Sequence, residues 1–372
     1  MLNRLVALFR GTPVFVRNAE RRHVDTDRRG TPRGGRRAFD VARTGSCAAL
    51  FALFSTSALA QVPVHFGFDT TSVSRARSLG MPITYGSSWA GAWNQKWGWG
   101  GIEDDLRTAK AAGVVPVIQW WYWGDDISPE CVEHGCTDRY HGVQKDKATW
   151  TRLSNELADL IIRVGGADSQ ALVVIETEFN KHGIENYEPF DGYLAEQAAI
   201  FHQRGLKVVV GFGNWGHSQW KYFDRAVAAA DLLGTMALQS SVRDASTYLS
   251  GADQLISAAQ YFQDTFGKRT LVDFAFSSYP DPSYERDQDT VIREIFRRME
   301  EFRAAGVQGL IWRMLSDDPA FNTDNYHGIA ERYWGLLRAD GSPKPAFLPF
   351  LNGMRTESGT PKAVTTARTR QR

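Results

Sequence analysis

The stretch LVVIETEFN, residues 172–180, runs four apolar residues into two glutamates, Glu176 and Glu178, with Thr177 between them. It is short and rich in β-branched residues, so it reads as a buried strand. Side chains two apart on a strand share a face. Glu176 and Glu178 are therefore expected to point the same way, with Glu178 nearer the strand end. Two buried carboxylates side by side are costly unless something offsets the cost. Their natural use is proton transfer. One carboxyl gives a proton to a leaving oxygen while a second carboxylate attacks or activates water, as glycosidic-bond cleavage requires.

Seven further apolar runs share this character: 64–69, 82–88, 114–123, 207–215, 232–241, 270–278 and 307–315. Between the eight lie amphipathic stretches, several closed by glycine just before the next strand, as a helix C-cap should be. Eight β-then-α units in one run predict a single-domain (β/α)₈ barrel spanning residues 61–354. Active sites of such barrels sit at the C-terminal ends of the strands. Polar groups expected there include Asp69, Tyr85, Gln119, Asn180, Asn214, Gln239, Asp273 and Arg313. Trp89, Trp121, Trp215 and Trp312 are expected on the same rim, as surfaces for sugar rings. Asp69 has a second reading, as the cap of the helix that begins near Ser72.

The pattern resembles the large group of (β/α)₈ glycoside hydrolases that includes cellulases and β-mannanases. In that group the fourth strand ends in the acid/base glutamate, and IETEF places Glu178 there. The seventh strand ends in a nucleophilic glutamate, and GKRTLVDFAFSSYP aligns with that segment but carries Asp273 instead. Trp312 in GLIWRML matches the tryptophan that floors the sugar site. The resemblance implies a hydrolase of a polysaccharide or oligosaccharide, with Glu178 as general acid and Asp273 as base or nucleophile. Asp is shorter than Glu by one C–C bond, about 1.5 Å, which favours an inverting reaction through water. A weaker similarity, to chitinase-type barrels, rests on IETE and GLIWRMLSDD and would make Glu176 and Glu178 the working pair. A third reading is a non-catalytic carbohydrate-binding barrel in which Asp273 is a relic.

The net charge of +1 hides an asymmetry. Residues 1–60 hold eleven arginines and no lysine against four acids, a net of +7, which leaves the rest at −6. An acidic body argues against nucleic-acid binding. The basic segment leads into an apolar run from Cys47 to Leu59 and an Ala58-Leu59-Ala60 site, the layout of an export signal cleaved before Gln61. That run is too short to span a membrane. The expectation is a periplasmic or secreted monomer, with residues 1–60 as leader and signal and residues 355–372 as a disordered polar tail. Cys131 and Cys136 then remain as a pair, read as a loop-closing disulfide in preference to a zinc site. No metal or cofactor is expected, because the histidines lack ligand spacing and GWGWGG lacks the strand–helix setting of a phosphate loop.

Overall fold

The computed structural model describes residues 63–213, 223–239, 250–279, 283–321 and 328–359. The leader and signal segment lies outside them, as do Asn214, Trp215 and the chain from residue 360 onward. Eight strands form a closed, wholly parallel barrel: β1 (His65–Asp69), β2 (Tyr85–Gly91), β3 (Val115–Trp121), β4 (Leu172–Ile175), β5 (Lys207–Gly213), β6 (Leu232–Gln239), β7 (Thr270–Phe276) and β8 (Val307–Trp312). Each pairs with its sequence neighbours, and β1 closes the ring on β8. Each strand is followed by a helix: α1 (Thr70–Ser78), α2 (Gly100–Ala112), α3 (Lys147–Gly165), α4 (Pro189–His202), α5 (Asp224–Ala229), α6 (Ser250–Phe266), α7 (Tyr284–Arg297) and α8 (Phe347–Glu357). The expected (β/α)₈ architecture is thus present. The closing helix runs to Glu357, so the polar tail expected from residue 355 starts later than the sequence suggested. Among the described residues no helix is long and apolar enough to cross a membrane.

Strand alternation sorts the core. Inward-facing Tyr85, Val117, Leu172, Val174, Val209, Leu232, Leu271 and Ile311 fill the barrel as one cluster. Their outward neighbours pack under the helices: Ile118, Val173 and Val208 on one side, Phe66, Val272 and Leu310 on the other. Glycine admits the larger side chains. A Cβ on Gly309 would lie 2.6 Å from the Tyr85 ring and 2.8 Å from Leu271 Cδ1.

A long excursion is the β3–α3 connection, which leaves the strand at Trp121, two residues earlier than the sequence suggested. It holds a helix at Pro129–His134 and a two-stranded ladder of Cys136–Thr137 with Gln144–Lys145. The Cys131–Cys136 disulfide joins helix to ladder, as the cysteine spacing implied. Lys145 is buried beneath this excursion, with Nζ 2.8 Å from Asp126 and 2.7 Å from Asp138, and donates a 2.8 Å hydrogen bond to the Trp123 carbonyl. Two carboxylates and a carbonyl replace the water that a buried ammonium loses.

Gly309→Ala should destabilise the fold by about 1–3 kcal/mol through overpacking. Gly101→Ala, whose Cβ would meet nothing within 4 Å in α2, should be neutral or gain up to about 1 kcal/mol. Urea unfolding of the two variants checks the contrast.

Candidate active site

The β4 segment departs from the expected strand. It stops at Ile175, and Glu176 and Glu178 take left-handed conformations with φ of 50° and 59°. With His182 at 54°, these are the non-glycine residues of positive φ among those described, all within one turn and its exit. Such residues cost on the order of 1–3 kcal/mol each and gather at functional sites. The turn reverses the alternation. Thr177 points into the barrel and donates a 2.7 Å hydrogen bond to Gln119 Oε1. Its backbone passes so close to β5 that a Cβ on Gly211 would lie 2.7 Å from Thr177 Cα.

The two glutamates consequently separate, and the expectation that they share one face is overturned. Glu176 is buried and bound to backbone. Its Oε1 accepts from the Tyr122 N–H at 3.0 Å, and both oxygens accept from the Trp123 N–H at 3.2 Å. Burial pushes its carboxyl up to about 8, against the pull of those donors and of Lys145. Glu178 stands at the mouth with 19% of its side chain exposed. Its cationic neighbour is Lys181, 4.0 Å away, which is itself paired with Asp125 at 2.7 Å. Burial raises Glu178 to about 7; Lys181 and Arg313 pull it down, while Asp125 and Asp273 push it up.

Asp273 faces inward from β7. Its Oδ2 accepts a 3.2 Å hydrogen bond from Gln119 Nε2, and its buried Oδ1 has no hydrogen-bond partner among the described residues. Burial raises it to about 7, opposed by Arg313 and aided by Asp69. Gln119 thus links Asp273 to Thr177, the residue before Glu178. Above the acids lie Trp89 and Trp121, edge to face with centroids 5.6 Å apart. The Arg313 guanidinium covers Trp89 at 4.1 Å, and Lys181 Nζ lies 5.3 Å from the Trp121 ring. Beside Trp89 and Arg313 opens a cavity of about 480 Å³ that reaches Asp69, Ser88, Asp317 and Phe321.

The structure therefore brings together Glu178, Asp273, Arg313, Trp89 and Trp121 from the sequence-predicted set. Asp69 lines the cavity and caps α1, accepting from the Ser72 N–H at 3.1 Å. Other expectations are corrected. Tyr85 opens β2 and lies at the opposite end of the barrel from the mouth, where Gln308 donates to its hydroxyl at 3.3 Å. Trp312 faces outward, fully buried against Phe274, Phe276 and Phe350, because its neighbours Ile311 and Arg313 occupy the inward face. Gln239 also faces outward and donates to Gln254 of α6 at 2.9 Å. Asn180 is buried, accepting from the Gly213 N–H at 2.5 Å to hold the end of β5. Sequence reasoning passed over Lys181 and Asp125, whose role depends on where the turn places them. Among the described residues no group of three or more His, Cys, Asp or Glu is placed to hold a metal.

Comparison with known proteins agrees with this architecture. No family model matches the chain, and no curated protein matches it by sequence. Solved structures of (β/α)₈ fold do match it. An exo-β-1,4-mannosidase from an Opitutaceae bacterium superposes with a TM-score of 0.60 at 11% identity, over 80% of this chain and 60% of that one. A family 5 glycoside hydrolase from Bifidobacterium longum, solved with mannosyl-β-1,4-N-acetylglucosamine, gives 0.58 at 13% identity over 80% and 79%. Xylanase B from Clostridium stercorarium gives 0.54 at 14% over 78% and 96%.

The raised Asp273 carboxyl has a thermodynamic consequence. Unfolding returns it to its ordinary value of 3.8, from about 7. Between those values the unfolded chain binds fewer protons, so stability falls as pH rises, and the full penalty holds above about pH 7. Asp273→Asn should therefore stabilise the fold at pH 8 by up to about 4 kcal/mol, and by little at pH 4. Equal effects at the two pH values, in urea unfolding, would show that the carboxylate is held ionised.

Proposed function

We propose that the protein is a glycoside hydrolase acting on a β-1,4-linked glycan, with Glu178 as the proton donor and Asp273 as the second carboxylate. The observation that carries this reading is the pair itself. An acid just after β4 and an acid on β7 act on each other electrostatically, both are raised to about 7, and Asp273 Oδ1 has no hydrogen-bond partner among the described residues. The linkage is inferred from solved barrels of like fold, a mannosidase, a xylanase and two galactanases whose names carry a β-1,4 linkage. Trp89 and Trp121 supply apolar faces for the sugar rings. The backbone hydrogen bonds of Glu176 favour a structural role for it and count against the chitinase-like pairing of Glu176 with Glu178.

In this mechanism the Glu178 carboxyl gives its proton to the glycosidic oxygen as the bond to the anomeric carbon breaks. Asp273 takes a proton from water, whose oxygen bonds to that carbon from the opposite face. Arg313 moderates both acids, and Lys181 moderates Glu178. Without them burial would carry the acids higher, and Asp273 would stay protonated. The reading also places the protein in the periplasm or outside the cell, which the disulfide supports because such bonds persist in oxidising compartments.

Glu178→Gln should lower turnover on a β-1,4-glycan by a factor on the order of 10²–10⁴ while leaving binding intact. The wild-type rate should peak near pH 7 and fall on both sides, since one acid must be protonated and the other ionised. Unchanged turnover in Glu178→Gln would remove Glu178 from the reaction. Proton NMR of the first product should show the inverted anomer; the retained anomer would make Asp273 a direct nucleophile.

A further inference from the structure

Four large hydrophobic side chains are exposed among the described residues, and two of them share one rim of the barrel. Trp97 is 60% exposed and Tyr140 39%. Trp97 belongs to the segment after β2, and Tyr140 to the excursion after β3. They meet around His141, whose ring centroid lies 5.0 Å from Trp97, 6.2 Å from Tyr140 and 5.2 Å from Trp93. Leaving an indole this far in water forgoes the gain of burying it. A patch of such rings beside a cleft marks a binding surface.

The patch is continuous with the acids. The Tyr140 hydroxyl donates to Asp125 at 3.3 Å, Asp125 pairs with Lys181 at 2.7 Å, and Lys181 stands 4.0 Å from Glu178. It is also held rigid from beneath. Asp138 accepts from the Tyr140 N–H at 3.0 Å, the His141 N–H at 2.7 Å and the buried Lys145 ammonium at 2.7 Å. Gln95 ties the Trp97 segment to the carbonyl of Gln144 on the ladder at 2.8 Å. The disulfide closes the same excursion. Flat rings are interleaved with hydrogen-bonding groups: Lys96 lies 5.8 Å from the Trp97 ring, and Arg139 lies 5.8 Å from the Tyr140 ring. A pyranose, with an apolar face and a polar edge, matches that arrangement.

We propose that Trp97, Tyr140 and His141 form a distal sugar subsite, on which a β-1,4-linked glycan stacks after leaving the cleft past Asp125. The proposal rests on the glycosidase reading and adds that the substrate is a chain several sugars long. Because the platform is already ordered, stacking on it costs little conformational entropy.

Titration calorimetry tests it on the full mature chain carrying Glu178→Gln, with the β-1,4-linked hexaoses and bioses of mannose, xylose and galactose as probes. At least one hexaose should bind more tightly than its biose. Trp97→Ala and Tyr140→Ala should each cut that preference about tenfold, the scale of one lost ring contact, and Trp97→Phe should restore most of it. An unchanged preference in both alanine variants, or no binding of any hexaose, overturns the platform. Two outcomes separate the platform from the reading beneath it. Hexaoses that bind through Trp97 but are not cleaved by the wild-type protein leave the platform standing and remove the hydrolase. Hexaoses that are cleaved while the alanine variants keep their preference do the reverse.

Discussion

The structure turns on the desolvation of carboxylates inside a closed barrel. A carboxylate moved out of water must be paired, hydrogen-bonded or protonated. The left-handed turn at Glu176–Glu178 manages this by separating the two glutamates. An unbroken strand would have aimed both into the barrel, beside Asp273. The turn instead sends Glu176 outward to the Tyr122 and Trp123 N–H groups, brings Thr177 inward to Gln119, and leaves Glu178 at the mouth. Gly211 makes room for the turn's backbone. The strain of positive φ at Glu176 and Glu178 is offset by this redistribution, and it delivers a single acid to the mouth from β4.

The surrounding charges follow from the same constraint. Lys181 and Arg313 both lower the Glu178 carboxyl, yet neither forms a tight bridge to it. Lys181 is held by Asp125, and Arg313 spreads over Trp89. A tight bridge would fix Glu178 as an anion and end its use as an acid; a cation at 4.0 Å, already committed to another carboxylate, only moderates it. Asp125 therefore acts twice, as Lys181's partner and as a negative charge that raises Glu178. The β3–α3 excursion is what places Asp125. Its buried Lys145 and disulfide thus support the site without touching it.

The fold is legible because its signal repeats eight times: apolar runs alternate with amphipathic stretches, several of them closed by a glycine. The site is legible where a residue lies on regular strand, as Asp273 and Trp89 do, or directly follows one, as Arg313 does. It fails where local geometry departs from the pleat or where a strand begins elsewhere than its apolar run. Reading the run 82–88 as the strand puts Tyr85 near the mouth, whereas β2 starts at Tyr85 and its alternation carries Trp89 to the mouth. Trp312 could have been excluded from sequence. Adjacent strand residues face opposite ways, so Arg313 and Trp312 could not both line the barrel. The turn at Glu176 has no such signal, because the glycine that makes room for its backbone, Gly211, lies far away in sequence.

The buried charges of this protein divide into two kinds. Lys145 has two carboxylates and a carbonyl. Lys344 has Asp317 at 2.6 Å, the Ser278 hydroxyl at 2.8 Å and the Tyr333 carbonyl at 3.3 Å. Glu176 has two backbone donors. Each is close to saturated in hydrogen bonds, as a buried polar group kept for structure should be. Asp273 has one amide donor on one oxygen, and Glu178 has a cation at the limit of pairing distance and no hydrogen bond among the described residues. The sequence therefore can saturate a buried charge, and does so three times within the same barrel. Burial lifts all three acids, Glu176 to about 8 and Glu178 and Asp273 to about 7, but only Glu178 and Asp273 have so few hydrogen bonds among the described residues that their carboxyls can exchange protons with a substrate or a water. A purely structural acid gains nothing from that state, whereas an acid–base pair depends on it.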